Sequence, residues 1–258
     1  MAAPRARGYI MSMLSPDERE RYARHILLKE IGGPGQQRLK AASVAIVGAG
    51  GLGAPAALYL AAAGVGRLRL IDDDTVSLDN LQRQIIFRNT DVGAHKVDRA
   101  QAALAALNDN VAVEIERQKL TTENARHLLR GVDVVLDGTD DFETRFAVNA
   151  AARELGVPLV SGAVGRWDGQ ISVFTRGGPC YRCFVPAPPP DAETCARVGV
   201  VGALTGVIGS LMALEAIKII TEAGEPLIGR VMLFDGLKGE ARTVALKRDP
   251  ACPVCGHE

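Results

Sequence analysis

A glycine-rich segment between an apolar run and an alanine-rich helix pattern constrains the fold more than any other feature of this sequence. Residues 44–47 are apolar and lead directly into the segment 48–53, and a second apolar run, 68–71, follows the helix pattern. A G-x-G-x-x-G spacing between a strand and a helix is the fingerprint of a dinucleotide-binding βαβ unit. The glycines allow a tight turn, so that free N–H groups at the helix start can face a phosphate. These glycines are Gly48, Gly50, Gly51 and Gly53.

The acidic and cationic residues that follow indicate chemistry on the phosphates of a nucleotide. The second apolar run ends on Asp72, Asp73 and Asp74. A carboxylate at this strand end can accept both hydroxyls of a ribose, and strand alternation places Asp72 and Asp74 on one face with Asp73 on the other. The cations Arg83 and Lys96 come next. A glycine loop joined to such a cationic segment is more specific than the glycines alone.

The length and charge of the chain are typical of a cytoplasmic enzyme. The sequence has 258 residues, with 30 Lys and Arg against 30 Asp and Glu, and this balance argues against a general nucleic-acid binder. No apolar signal core follows the N-terminal basic residues, which predicts a cytoplasmic location. Ser15 and Glu18 have the spacing of a helix-capping box. We therefore expect residues 1–14 to be disordered and residues 15–258 to form a single domain.

One uncharged segment, residues 198–214, requires a membrane check. Its 17 residues are fewer than the roughly 20 that a helix needs to cross a bilayer. It also contains four glycines and is followed directly by Glu215. The segment is predicted to be a helix buried inside the protein or at a subunit interface, and no membrane is expected as a partner.

Alternating strand and helix patterns along the chain predict an α/β fold with a Rossmann-like, mostly parallel sheet flanked by helices. Further strands are expected at residues 111–115, 132–136, 158–161 and 170–174, with helices at 93–108, 122–130 and 142–155 and a turn at 167–169. Antiparallel C-terminal strands are expected near residues 230–235 and 241–246.

Two matched cysteine pairs predict a structural zinc site, or zinc knuckle pair. Cys180 and Cys183 form one C-x2-C pair, Cys252 and Cys255 form another, and 68 residues separate the pairs. Four thiolates in this arrangement suit a tetrahedral zinc that is closed to solvent and substrate. The alternatives are two redox pairs or incidental thiols, but disulfides are disfavoured in the cytoplasm. The metal would tie the C-terminal tail to the middle of the chain.

In their order and spacing, these motifs resemble the MoeB/ThiF/HesA adenylyltransferases, bacterial relatives of ubiquitin-activating enzymes, with a pattern most similar to that of molybdopterin-synthase adenylyltransferases. The resemblance runs from about Ser15 to the C-terminus. It is carried by Arg21-Tyr22-Ala23-Arg24, the glycine loop 48–53, residues 72–76 and 80–84, Lys96, Thr139-Asp140 and both cysteine pairs. It implies ATP- and magnesium-dependent adenylation of the C-terminal Gly-Gly carboxylate of a small ubiquitin-like sulfur-carrier protein, with release of pyrophosphate. A sulfurtransferase or cysteine desulfurase would then supply sulfur.

The resemblance also implies roles for individual residues. Arg83 and Lys96 would contact the phosphates, Asp140 would hold magnesium, and Arg24 would reach the phosphates of the neighbouring subunit, which makes a homodimer necessary for activity. A chain-terminal carboxylate has a pKa of about 3.3–3.7 and needs no general base, so catalysis would consist of positioning and charge neutralisation. The implied nucleotide contacts are Gly48, Gly50, Gly51, Gly53, Asp72, Asp74, Asn80, Arg83, Gln84, Lys96 and Asp140.

Each role has a structural alternative. Arg24 could lie on a solvated helix face, Lys96 could cap a helix that starts near residue 92, and Arg83 could pair with one of the three aspartates at 72–74. Asp141 departs from the family pattern, because relatives commonly have asparagine there. Both Asp140 and Asp141 are therefore candidates for the metal, and Asp140 is preferred because it directly follows Thr139.

The fifth cysteine, Cys195, lies near Arg197 in a proline-rich loop. In some relatives a cysteine here handles sulfur or bonds covalently to the carrier, and a thiol beside a cation can be reactive. Adenylation itself requires no thiol nucleophile. A later sulfur-transfer role and an incidental thiol both stay open.

Other functions fit parts of the sequence. An NAD-dependent oxidoreductase would share the glycine loop and Asp72 but would not explain Arg83, Lys96 and Asp140 as a set. A noncatalytic zinc-bearing scaffold would not explain why the polar positions are intact. A tRNA-modifying adenylating dehydratase of the same superfamily is disfavoured by the absence of a basic stripe. The pathway, whether molybdenum cofactor, thiamine or both, stays open.

Overall fold

The computed structural model describes residues 13–188 and 199–256, which form an eight-stranded mixed sheet with flanking helices. The order across the sheet is β3-β2-β1-β4-β5-β6-β7-β8. The first five strands in this order pair in parallel, and β6, β7 and β8 are added antiparallel. The predicted fold class is confirmed. The strands are β1 (Ser43–Val47), β2 (Arg67–Ile71), β3 (Ala112–Glu116), β4 (Val134–Asp137), β5 (Leu159–Gly165), β6 (Asp168–Phe174), β7 (Arg230–Asp235) and β8 (Glu240–Ala245).

Local capping signals set several helix boundaries. The Ser15 side chain accepts a hydrogen bond from the Glu18 N–H at 3.1 Å, and Glu18 accepts from the Ser15 N–H at 2.7 Å, so the predicted capping box is present. The helices are α1 (Pro16–Arg21), α2 (Ala23–Ile26), α3 (Gly32–Ala41), α4 (Gly53–Ala62), α5 (Lys96–Leu107), α6 (Ala125–Leu128), α7 (Phe142–Leu155), α8 (Tyr181–Phe184) and α9 (Gly202–Thr221), with 3-10 turns at Leu78–Gln82 and Asn89–Asp91.

The core lies in two layers, one on each face of the sheet, because alternate residues of a strand point to opposite faces. Ile46 of β1 packs in the layer that includes Leu60 of α4 and Met212 of α9. Its neighbour Val47 packs in the other layer, with Val148 of α7. The central strands are therefore buried on both faces, which explains their continuous apolar sequences.

Helix α9 is longer than the predicted apolar segment and includes two charged residues, Glu215 and Lys218. By length and composition the helix could cross a membrane, but half of its most apolar window is buried inside the protein. It packs against α4, β5 and β6. Glu215 is buried, pairs with Lys218 and accepts a hydrogen bond from the Leu227 N–H at 2.8 Å. These contacts place one face of α9 in the protein interior.

Several boundaries differ from those predicted. The turn between β5 and β6 lies at residues 166–167 and so begins one residue before the predicted turn at 167–169. Arg166 in this turn has a φ of 50°. Helix α5 begins at Lys96, because His95 before it is extended and forms a β-bridge with Thr75. Helix α3 was not predicted at all. The disorder predicted for residues 1–14 falls largely outside the described residues, although Leu14 itself is buried.

Candidate functional site

The glycine loop lies at the carboxyl ends of β1 and β4, where the strand order reverses. In an α/β sheet this switch point forms the crevice in which ligands bind. Gly48 has a φ of 87°, and a Cβ added to it would lie 3.3 Å from the Gly138 carbonyl and from Thr139 Cγ2. A Cβ on Gly53 would collide with the Gly48 carbonyl oxygen. The loop after β1 therefore packs directly against the loop after β4, and its glycines permit that contact.

Asp72 connects the glycine loop to the end of β2. Its two carboxylate oxygens accept hydrogen bonds from the N–H groups of Ala49, at 2.7 Å, and Asp74, at 2.9 Å. Burial raises the pKa of Asp72 above its usual value, while the Lys96 ammonium and these two N–H groups act in the opposite direction. Each oxygen keeps a second lone pair, so the carboxylate can still accept the hydroxyls of a ribose.

Lys96 is a buried cation beside this acidic strand end. The residue is 5% exposed, and its ammonium donates to the exposed Asp74 carboxylate at 2.7 Å. The pairing proposed as an alternative for Arg83 is thus made by Lys96. Burial of an ammonium is costly unless it is paired, so Asp74 holds Lys96 in place. Asp73 is exposed and makes no hydrogen bond among the described residues.

The segment from Asn80 to Gln84 lies against the glycine loop. Asn80 is buried and accepts from the Ser77 N–H at 3.4 Å, and Arg83 is half-buried and donates to the Asp79 carbonyl at 3.0 Å. The buried Gln84 amide nitrogen lies 3.5 Å from where a Cβ of Gly50 would be. The Gln84 side-chain oxygen has no hydrogen-bond partner among the described residues. An unpaired buried acceptor costs about 1–3 kcal/mol, so a ligand donor that reached this oxygen would relieve that cost.

Helix α9 holds these two segments together. The Thr205 hydroxyl donates to the Gly202 carbonyl at 2.7 Å and lies 3.3 Å from the Arg83 carbonyl, and its methyl group lies 3.1 Å from where a Cβ of Gly51 would be. The Gln82 amide donates to the Val200 carbonyl at 3.1 Å. The role of α9 in the site was not predicted from the sequence.

The two carboxylates after β4 have different environments. Asp141 caps α7 by accepting from the Thr144 N–H at 2.8 Å, and it lies 3.8 Å from Lys119. Asp140 is exposed and makes no hydrogen bond or ion pair among the described residues. A hard cation prefers carboxylate oxygens, and Asp140 is the carboxylate left available. The carboxylates of residues 72–74 also lie within 4.8 Å of one another, but two of them are engaged as described above.

Sequence reasoning missed a buried pair behind the loop after β4, Asp137 and Arg145, both at most 5% exposed. Asp137 is the last residue of β4 and accepts from the Thr139 N–H and hydroxyl at 3.1 and 2.7 Å. The signal was the position of Arg145 on the face of α7 that also carries Val148 and Ala152, which the helical period makes a buried face.

The four paired cysteines form a compact cluster. The Sγ atoms lie within 4.8 Å of one another, with Cys180 to Cys252 at 3.6 Å and Cys183 to Cys255 at 3.3 Å. A tetrahedral zinc with Zn–S bonds of about 2.3 Å requires S···S separations of about 3.8 Å, so the cluster fits this metal. Burial and neighbouring sulfurs raise the pKa of the Cys180 and Cys255 thiols. Bound zinc would take the place of the thiol protons, and its charge would stabilise the buried thiolates.

Among the described residues, one predicted residue, Arg24, is not brought to the site. Arg24 is exposed on α2 and makes no hydrogen bond or ion pair within the described ranges. Its role across a subunit boundary stays a prediction, as does the homodimer. Cys195, with Arg197, lies outside the described residues.

Comparison with known proteins identifies close relatives. The model of the ThiF family matches residues 22–254. A sulfur carrier protein adenylyltransferase from Thermus thermophilus is 48% identical over 250 residues, which are 94% of this chain and 92% of the relative. The adenylyltransferase and sulfurtransferase MOCS3 from Anopheles gambiae is 49% identical, and the chain spans 57% of that longer protein. The fold is similar to that of E. coli MccB, crystallised with MccA-N7isoASN, with a TM-score of 0.82, 24% identity and coverage of 92% of this chain and 74% of MccB.

Proposed function

The chain belongs to the ThiF family, and from this membership and its site we propose that it adenylates the C-terminal carboxylate of a small ubiquitin-like sulfur-carrier protein with ATP. In this reaction a carboxylate oxygen forms a bond to the α-phosphorus. The bond between that phosphorus and the oxygen bridging to the β-phosphate breaks, and pyrophosphate leaves with the electron pair. The Thermus thermophilus relative, similar over nearly its whole length, carries the name of this activity.

The observation that best supports this function is the grouping of Asp72, Lys96 and Gln84 around the glycine loop. The free lone pairs of Asp72 can accept hydrogen bonds from ribose hydroxyls. The ammonium of Lys96, fixed by its ion pair with Asp74, can stabilise the negative charge that develops on the phosphates. The Gln84 oxygen is buried and has no partner among the described residues, so a ligand donor that reached it would be stabilising. A nicotinamide-dependent oxidoreductase has no need for a buried lysine and an available Asp140 beside its phosphate loop.

The cofactors and partners follow as parts of the same proposal. Magnesium held by Asp140 would neutralise charge on the leaving pyrophosphate, and zinc in the four-cysteine cluster would be structural. The carrier would end in Gly-Gly and would receive sulfur from a sulfurtransferase or cysteine desulfurase. The setting we propose is the cytoplasm, with the molybdenum-cofactor or thiamine pathway, or both, as the destination of the sulfur.

Carrier-dependent ATP–pyrophosphate exchange tests the function. Purified protein should exchange labelled pyrophosphate into ATP only when a Gly-Gly carrier from the same cell is present, because the exchange requires reversible formation of the carrier adenylate. Mass analysis should find the adenylate on the carrier. A carrier without its two terminal glycines is the control. Tight binding of NAD with no exchange for any carrier would contradict the proposal.

Mixing two inactive variants tests the shared site. If Arg24 acts on nucleotide bound by the neighbouring subunit, Arg24→Ala and Asp140→Ala proteins should partly complement after subunit exchange, because some heterodimers contain one intact site. With random exchange of equal amounts, roughly a quarter of the wild-type exchange rate should return, since half of the dimers are mixed and each has one of two sites intact. Mixing Lys96→Ala with Asp140→Ala is the control and should recover nothing, because those residues belong to the same subunit's site. No recovery after verified subunit exchange, or a fully active monomer, would count against a composite site.

A further inference from the structure

Arg145 is a buried cation whose contacts converge on the loop after β4. It lies on α7, is 5% exposed, and donates to the Thr139 carbonyl and, at 2.8 Å, to the Gly162 carbonyl. A further bond, at 3.3 Å, reaches the Ser161 hydroxyl. Its guanidinium lies 3.8 Å from the Asp137 carboxylate, a separation that balances charge without a direct hydrogen bond. Arg145 therefore links the loop after β4 to the neighbouring strand β5.

Thr139 is held at all three of its polar groups. Asp137 accepts from its N–H and its hydroxyl, and Arg145 donates to its carbonyl. The Thr139 carbonyl and the Asp140 N–H belong to the same planar peptide unit. Fixing that carbonyl therefore fixes the plane from which the Asp140 side chain departs, although Asp140 itself makes no hydrogen bond or ion pair within the described part of the chain.

The loop after β4 also packs against the glycine loop. Thr139 Cγ2 and the Gly138 carbonyl lie 3.3 Å from where a Cβ of Gly48 would be, and a Cβ of Gly138 would lie 3.2 Å from the Gly53 nitrogen. Because there is so little space between the loop after β4 and the glycine loop, a shift of Thr139 moves Asp140 relative to the glycine loop or displaces the glycine loop as well.

We infer that Arg145 is a positioning residue for adenylation, acting through Thr139 to fix Asp140 relative to the glycine loop. The inference rests on the proposed function. A solely structural ion pair would be the simpler account, but the guanidinium makes hydrogen bonds to the loop and to β5 rather than to Asp137. Its planar fork of donors is what allows one side chain to hold acceptors on two elements, and lysine cannot reproduce it.

Arg153 provides a matched control on the same helix. It is also buried, at 7% exposed, and it also donates to two carbonyls, those of Thr175 at 2.8 Å and Gly178 at 3.0 Å. Arg145→Lys and Arg153→Lys therefore each remove a buried guanidinium that donates to backbone carbonyls. We expect similar decreases in melting temperature, but Arg145→Lys alone should slow exchange, by roughly 10- to 100-fold, because a misplacement of about 1 Å costs that much. Arg145→Lys should also raise the magnesium concentration needed for half-maximal exchange. In Arg153→Lys both the exchange rate and this magnesium concentration should stay within about twofold of the wild type.

A double variant tests whether Arg145 acts through Asp140. In an Asp140→Asn background, Arg145→Lys should cause little further loss of exchange, because the carboxylate that it positions is already absent. If Arg145→Lys does not fold, Thr139→Val removes only the hydroxyl bond to Asp137 and should slow exchange several-fold. Thr144→Val, which removes the hydroxyl of a buried threonine on α7, should not.

Equal effects of Arg145→Lys and Arg153→Lys on exchange and on magnesium dependence would overturn the inference, as would full additivity with Asp140→Asn. Equal exchange rates for Thr139→Val and Thr144→Val would do the same where the arginine variant does not fold. Failure of the proposed function is a separate result, because the wild-type protein itself would then show no exchange with any carrier.

Discussion

Replacement of Lys96 by alanine should slow carrier-dependent ATP–pyrophosphate exchange by a factor of roughly 10²–10³, the usual loss when a charge-stabilising group is removed from an active site. Arg83→Ala and Asp140→Ala should have losses of the same order. The expected mechanism is loss of transition-state stabilisation, so the rate at saturating ATP and carrier should fall and not only the affinity for ATP. Exchange kinetics over a range of ATP and carrier concentrations measure this.

Lys40 provides the control for the fold. Its ammonium also makes an ion pair of 2.7 Å, with the buried carboxylate of Glu18, but on the helices α1 and α3. Lys40→Ala should lower stability and leave exchange close to wild type. Full activity of the Arg83, Lys96 and Asp140 variants, or an equal loss of activity in Lys40→Ala, would refute the assignment of the site.

Loss of any zinc ligand should lower the melting temperature by roughly 10 °C and remove about one zinc per chain. The cluster closes a chain segment of about 70 residues, and a cross-link over such a length is worth about 4 kcal/mol in the chain-entropy model. For a chain of this size each kcal/mol corresponds to about 2–4 °C. Metal analysis and thermal melts of the Cys180→Ser, Cys183→Ser, Cys252→Ser and Cys255→Ser proteins check the expectation.

Cys195→Ser is the matched cysteine control. It should keep the zinc and the melting temperature and should still adenylate the carrier, because the adenylation step uses no thiol. Any loss should be confined to a later sulfur-transfer or covalent-carrier step. The zinc-ligand variants should lose exchange activity only in proportion to their unfolded fraction. Loss of exchange in Cys195→Ser at normal zinc content would show that this division between structural and reactive cysteines is wrong.

Most of the sheet was predictable because its central strands are buried on both faces and are therefore continuous apolar runs. Helix α7 was predictable to the residue, since Asp141 caps its start and Gly156 ends it with a φ of 68°. Helix α3 was missed because its first residues, Gly32, Gly33 and Pro34, are a turn signal in any local analysis. Packing of Leu39 and Gln36 in the interior overrides that local preference.

The site residues, too, were predictable where their position depends on local sequence and not where it depends on packing. Residues whose role depends on local position, such as the glycines after β1 and Asp72 at the end of β2, lie where the motif predicts. The partner of Lys96 and the contacts of Arg145 depend on long-range packing. Arg145, for example, bonds to β5 and to the loop after β4, which come together only in the folded chain. An arginine within a helix is ordinarily assigned to solvent, and only its place on the buried face of α7 argued otherwise.

Helix α9 places a constraint on the chain that concerns length rather than composition. Gly202 and Gly209 lie two turns apart on one face of the helix, where a Cβ on the first would collide with the Gln82 carbonyl and a Cβ on the second would lie 2.5 Å from the Leu52 carbonyl. One inserted residue between them would turn one glycine by about 100° relative to the other. The helix could then not fit against both loops at once. The eight residues from Gly202 to Gly209 therefore form a spacer of fixed length, and insertions or deletions can be accommodated only beyond it.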